Sequence, residues 1–168
     1  MVVMRGFHRT RNPRVALLVL AVVWAAVAWF LFLRSGMPLS MPEGLAIDYS
    51  HSSGMIDKSE TYHLAVGPSK ATLRRDGDER TYAFDVTRDE LDALYRTLRA
   101  ERFLGVVATD PGMIYDAPEW SVTLSWNDVR KTIRDGATEH VVLFDRQRFF
   151  GGAQAISDFV DQKISDAP

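Results

Sequence analysis

One stretch constrains this chain more than any other: Val15 to Leu33, which reads VALLVLAVVWAAVAWFLFL. It runs nineteen residues without a charge, a Pro or a Gly. As a helix rising 1.5 Å per residue it would be ~28 Å long, close to the ~30 Å hydrocarbon core of a bilayer. A helix that is apolar on every side lies deep in a large protein or in lipid. A chain of 168 residues cannot wrap a core around it. The pattern therefore predicts a single transmembrane helix over 15–33. A cleaved signal peptide is the rival, because Ala26-Val27-Ala28 fits a small-residue cleavage site. Cutting there would leave WFLFL as an apolar stub, which favours a retained signal anchor.

Charge then sets an expected orientation. Residues 1–14 carry Arg5, Arg9, Arg11 and Arg14 and no acid. Positive flanks stay on the cytoplasmic side. This predicts a cytoplasmic basic tail over 1–14, single-pass localisation in the plasma (inner) membrane, and an extracytoplasmic C-terminal part. Arg34 to Gly44, with Pro38, Pro42 and Gly36, reads as a linker. Residues 45–168 read as one extracytoplasmic domain.

That domain is acidic. Residues 35–168 hold 15 Lys or Arg against 22 Asp or Glu, a net −7. Such a balance argues against nucleic acid as a partner, since phosphate binding needs a basic surface. Cysteine is absent. This excludes disulfides, thiolate metal sites, a catalytic thiol and a lipidated cysteine.

From Leu45 on, the apolar period is two. Leu45 to Tyr49 predicts a first strand, His51 to Gly54 a loop, and Thr61 to Val66 a second strand. Lys70–Arg75 and Arg80–Val86 flank Asp76-Gly77-Asp78, a strong hairpin signal because a tight primed turn needs positive φ. Thr87 and Glu90 then form a capping box for a helix. Leu91, Leu94, Tyr95 and Leu98 give that helix one apolar stripe. Trp120, Val122, Leu124 and Trp126 alternate with polar residues, turn at Asn127-Asp128, and return over Val129–Arg134. Val141 to Phe144 suggests a last strand. Gly151-Gly152 precedes a closing helix striped by Ala155, Ile156, Phe159, Val160 and Ile164. The expected fold class is thus α+β: an N-terminal single transmembrane helix, then an antiparallel sheet with two helices packed on one face.

No catalytic, cofactor-binding or metal site is legible. Ser52 and Ser53 precede Gly54 without the G-x-S-x-G pattern. His51, His63 and His140 stand in no metal-ligand spacing. Paired carboxylates leave no local signature. Trp120 and Trp126 fit core positions better than a pocket floor, and the Arg130, Thr132, Arg134 row fits a solvated face. The order of strand, His51-Ser52-Ser53-Gly54 loop, Leu91-x-x-Leu94-Tyr95 helix and Trp120-x-Val122-x-Leu124-x-Trp126 hairpin resembles emfourin-type proteinaceous inhibitors of thermolysin-like proteases. The resemblance covers roughly residues 46–164 and implies a small α+β inhibitor-like domain. The expected function is a non-enzymatic module binding a membrane-proximal protein or envelope component, besides the lipid bilayer itself. The 51–60 and Phe103–Pro118 loops are its expected surfaces. The alternative is an exported enzyme with a non-local active site.

The helix stripe carries a test. Leu94→Asp buries an unpaired charge at a cost of roughly 3 kcal/mol or more. The variant should lose the cooperative thermal transition seen by circular dichroism in the parent protein.

Overall fold

The chain divides into two units, Met1–Arg34 and Ser35–Pro168. The computed structural model describes residues 20, 22–24, 37–53, 58–109, 118–136 and 139–166. In the first unit Leu20 and Val22 to Trp24 are helical. Among the described residues no helix is long and apolar enough to cross a membrane. This overturns the expected transmembrane helix, and with it the single-pass inner-membrane localisation and the topology built on it. The expectation required one unbroken apolar helix of ~20 residues. Only four positions of 15–33 are described; the others, like the basic tail 1–14, lie outside the described residues.

The second unit is α+β. Its elements are β1 (Ala46–Ser52), β2 (Lys58–Ala65), β3 (Gly67–Arg75), β4 (Asp78–Val86), α1 (Arg88–Ala100), a 3-10 turn (Phe103–Gly105), β5 (Ala108–Thr109), β6 (Glu119–Trp126), β7 (Val129–Asp135), β8 (His140–Val141) and α2 (Arg146–Ser165). Six strands form one sheet in the order β4-β3-β2-β1-β6-β7, and β5 and β8 form a short separate ribbon. Every pairing is antiparallel. The β3–β4 turn is the expected one: Asp76 and Gly77 both have positive φ, +53° and +84°, as a primed two-residue turn requires.

Alternation decides which face is buried. Ile47 and Tyr49 of β1, Tyr62 and Leu64 of β2, and Val122 and Leu124 of β6 point to one face and are buried. On α1, Leu91, Leu94, Tyr95 and Leu98 meet them; on α2, Phe149, Ala153, Ile156 and Val160 do. Both helices therefore cover the same face, as the apolar stripes predict. The expected linker is partly core. Met37 and Met41 are buried, and the Tyr95 hydroxyl donates to the Pro38 carbonyl at 2.8 Å.

Three local readings change. His51 and Ser52 belong to β1 rather than to a loop. The strand expected over Val141–Phe144 stops at Val141; Leu143 and Phe144 lie in a turn and are 82% and 75% exposed. The closing helix begins at Arg146, so Gly151 and Gly152 sit inside it. Gly152 has a steric reason to be there. A Cβ at that position would stand 2.3 Å from Cδ2 of the buried Phe103 ring. The expected Met113–Tyr115 segment lies outside the described residues.

The capping box forms as expected. The Glu90 carboxylate accepts from the Thr87 amide at 2.9 Å, and the Glu90 amide donates to the Thr87 hydroxyl. The same carboxylate takes a 2.7 Å bond from Lys163 of α2. The Lys163 bond first, and then the Thr87 bonds, hold the Glu90 carboxyl down at about 2.

Two measurements follow. Gly152→Ala should cost about 1–3 kcal/mol in denaturant unfolding, because the Phe103 ring must shift. Gly151→Ala meets Glu101 only at 3.5 Å; it should add roughly 0.5–1 kcal/mol through helix propensity. For Glu90, the folded pKa lies below the ordinary value of 4.5. Its stabilisation is therefore complete above that value and is lost as pH falls from about 4.5 toward 2. The carboxylate is partly solvated, so screening limits the effect to about 1 kcal/mol. Glu90→Gln should be less stable than the parent at pH 7 and indistinguishable from it near pH 2.

Candidate functional site

Strand register turns the covered face into rows that cross all six strands. One row is Ile133, Val122, Tyr49, Tyr62, Ala71 and Tyr82. Most of it lies under the helices. The next row toward the open end is Asp135, Trp120, His51, Glu60, Leu73 and Arg80. Here the side chains become ionisable. A cleft of about 620 Å³ opens over this second row, lined by His51, Glu60, Leu73, Arg80 and Tyr82 from the sheet and by Asp161 from α2.

The walls are ordered by aromatic contacts. Tyr49 and Tyr62 stack at 4.9 Å between centroids. The Tyr62 hydroxyl donates to Glu60 Oε2 at 2.8 Å. Burial and that bond to Glu60 push the Tyr62 phenol far above its ordinary range. His51 lies flat on Trp120, with centroids 4.6 Å apart and planes 9° from parallel. Phe150 of α2 meets the edge of Trp120 at 5.3 Å. Burial lowers the His51 pKa, against the opposing pull of Glu60.

Asp161 reports the local field. Burial raises its pKa, and the charges of Glu60 and then Asp158 raise it further. Lys58, Arg74, Arg75 and Arg80 line the same cleft, together with Asp76 and Asp78. Arg80 is held there by Asp78 at 3.0 Å.

The other histidines are placed elsewhere. His63 lies on the open face of the sheet, its Nδ1 2.7 Å from Asp48 Oδ1. Around it are Ser50, Thr61, Thr72, Lys70, Ser121 and Thr123, in a shallow depression of about 450 Å³. His140 is 3.3 Å from Asp135 Oδ1, which also accepts from the Val141 amide at 2.9 Å. Among the described residues no group of three or more His, Asp or Glu is placed to hold a metal ion.

Several expected site elements are corrected. Phe103 and Leu104 are core, so the start of the Phe103–Pro118 loop is no recognition surface; residues 110–117 lie outside the described residues. The 51–60 segment does border the cleft, through His51, Ser53, Lys58 and Glu60. Trp126 is core, whereas Trp120 is half-buried and backs the His51 ring that lines the cleft. Arg130, Thr132 and Arg134 lie exposed on the open face. Sequence reasoning did not single out Glu60 or Asp161. Neither stands in a motif, and only the packing of α2 over β2 brings them together. No family model matches this chain, and no curated protein matches it.

Proposed function

We propose that the second unit is a non-enzymatic binding module whose cleft takes a segment of a partner protein, anchored by a Lys or Arg side chain. The observation that carries this reading is the placement of the Asp161 and Glu60 carboxylates in one cleft, beside the His51 ring that stacks flat on Trp120. Two carboxylates partly withdrawn from water repel each other, and a cation between them relieves both the repulsion and the desolvation. Tyr82 lines the same space, and an aromatic face adds cation–π attraction. One observation favours a second reading. Two carboxyls, Glu60 and Asp161, lining one cleft are also an arrangement used in acid–base catalysis.

The experiment is a peptide array probed with the full chain, followed by titration of the best sequences. Peptides with a central Lys or Arg should be enriched. Glu60→Gln and Asp161→Asn should each weaken them about tenfold, or ~1.4 kcal/mol. Affinity should fall with added salt. It should also fall on acidification, through the raised titration range of Asp161. Enrichment without a basic anchor, or affinities that ignore both substitutions, would overturn the reading. Turnover of chromogenic glycosides that is lost in Asp161→Asn would replace it with the enzymatic one. The inhibitor role implied by the resemblance is a special case, read as loss of thermolysin activity on adding the chain.

A further inference from the structure

β4 is an outer strand of the sheet. Its hairpin with β3 closes at Arg75 and Asp78 around a two-residue turn. In that geometry Asp78, Arg80, Tyr82, Phe84 and Val86 exchange main-chain bonds with β3. The amides and carbonyls of Glu79, Thr81, Ala83 and Asp85 consequently face away from the sheet. The pairing runs unbroken from Arg75 and Asp78 to Gly67 and Val86, so no bulge turns this edge aside. Pro, bulges and charges are the usual means of blunting an edge. β4 has no Pro, and its charges lie toward its ends, leaving Thr81 to Phe84 uncharged. The opposite outer strand differs, because β7 has the β5–β8 ribbon against it.

We infer that β4 pairs with β4 of a second copy of this chain, antiparallel, across a two-fold axis at Ala83. The side chains select both the partner and the register. An axis at Tyr82 would set Glu79 opposite Asp85 twice, and like charges directly opposite are unfavourable. An axis at Thr81 would set Asp78 opposite Phe84. The axis at Ala83 places the smallest side chain of the strand against itself. It sets Tyr82 opposite the second copy's Phe84 twice on the helix side. It sets Thr81 opposite the second copy's Asp85 twice on the open side, where the hydroxyl donates to the carboxylate. Tyr82 and Phe84 are only half-buried in one copy and pack on the flank of the core. The added strand completes their cover. This inference rests on the β4 edge and not on the cleft carboxylates, although Tyr82 belongs to both.

The chain has no cysteine, so single cysteines report the pairing cleanly. Opposed residues of a bonded antiparallel pair have Cα atoms about 5.5 Å apart, within disulfide reach. Ala83→Cys in the full chain should form a covalent dimer several-fold faster than Thr97→Cys, an exposed position on α1. It should also outpace Thr81→Cys. The unmodified chain should show a concentration-dependent dimer by light scattering at micromolar concentrations. Ala83→Arg, which sets two guanidinium groups on the axis at an exposed position, should abolish that dimer with circular dichroism unchanged. Cross-linking of Ala83→Cys no faster than Thr97→Cys overturns the inference, as does association that survives Ala83→Arg. Faster cross-linking of Thr81→Cys overturns the register.

Discussion

A sheet has two faces, and among the described residues of this unit the helices take only one of them. That one-sidedness governs the rest. Along β1, Ile47 and Tyr49 turn inward while Asp48 and Ser50 turn out; along β6, Val122 and Leu124 turn inward while Ser121 and Thr123 turn out. A register slip of one residue would exchange the two sets and put the apolar row in water. The cross-strand rows are therefore fixed by burial. The open face becomes a lattice of hydroxyls, with Thr72 bonded to Thr81 at 3.2 Å and Thr123 to Thr132 at 2.7 Å. Small hydroxyls suit a face that none of the described helices covers, since they pair with each other and with water alike.

Away from the large sheet, apolar burial is thin and polar anchors take over. The β5–β8 ribbon is only two residues deep. Asp145, fully buried at the start of α2, accepts from the Val107 amide at 3.1 Å and from Arg148 at 2.8 Å. Asp135 accepts from the Val141 amide on the other side of the ribbon. Lys131 donates to the Leu104 carbonyl, and burial lowers its pKa. Removing one partner from a buried charge costs several kcal/mol, roughly 3–5. Asp145 and Asp135 thus hold the chain on either side of the ribbon, and Lys131 holds the 3-10 turn before it. Among the described residues no buried side-chain nitrogen or oxygen lacks a hydrogen-bond partner.

What the sequence discloses follows the range of the interactions. The Asp76-Gly77 turn and the Thr87–Glu90 capping box are settled within four residues, and both form as read. The stripes of α1 and α2 report burial directly, so their inward faces were legible too. Gly151-Gly152 misled, because adjacent glycines ordinarily break a helix and the Phe103 ring that needs the space lies far away in sequence. Val141 to Phe144 misled for the opposite reason. Four apolar residues look like a strand, but β5 offers only two partners, and Leu143 and Phe144 are left in water. The uncharged run at 15–33 shows the limit of composition, since it predicted a span that no described helix supplies. Glu60 and Asp161 were invisible for the same reason as the β1–β6 pairing. Their neighbourhood is a product of topology.

The cleft itself is a consequence of widths. Six strands at about 4.8 Å make a sheet roughly 29 Å across. Two helices packed about 10 Å apart cover roughly 20 Å of that. Part of that face stays uncovered, although its alternation was set for burial. Cover on β3 and β4 ends part-way along the strands, and their sequences answer it: Ala71 and Val86 are buried where it persists, while Arg75, Asp78 and Arg80 occupy inward positions where it ends. The transition passes through Tyr62 and Tyr82, side chains with an apolar body and a polar tip. Glu60 is then the first full charge beyond the edge of the core, with its carboxylate fixed by Tyr62 and Asp161 approaching from the helix above. A carboxylate held at that boundary is oriented like a core residue yet reached like a surface one, and this combination makes the boundary row the natural place for recognition.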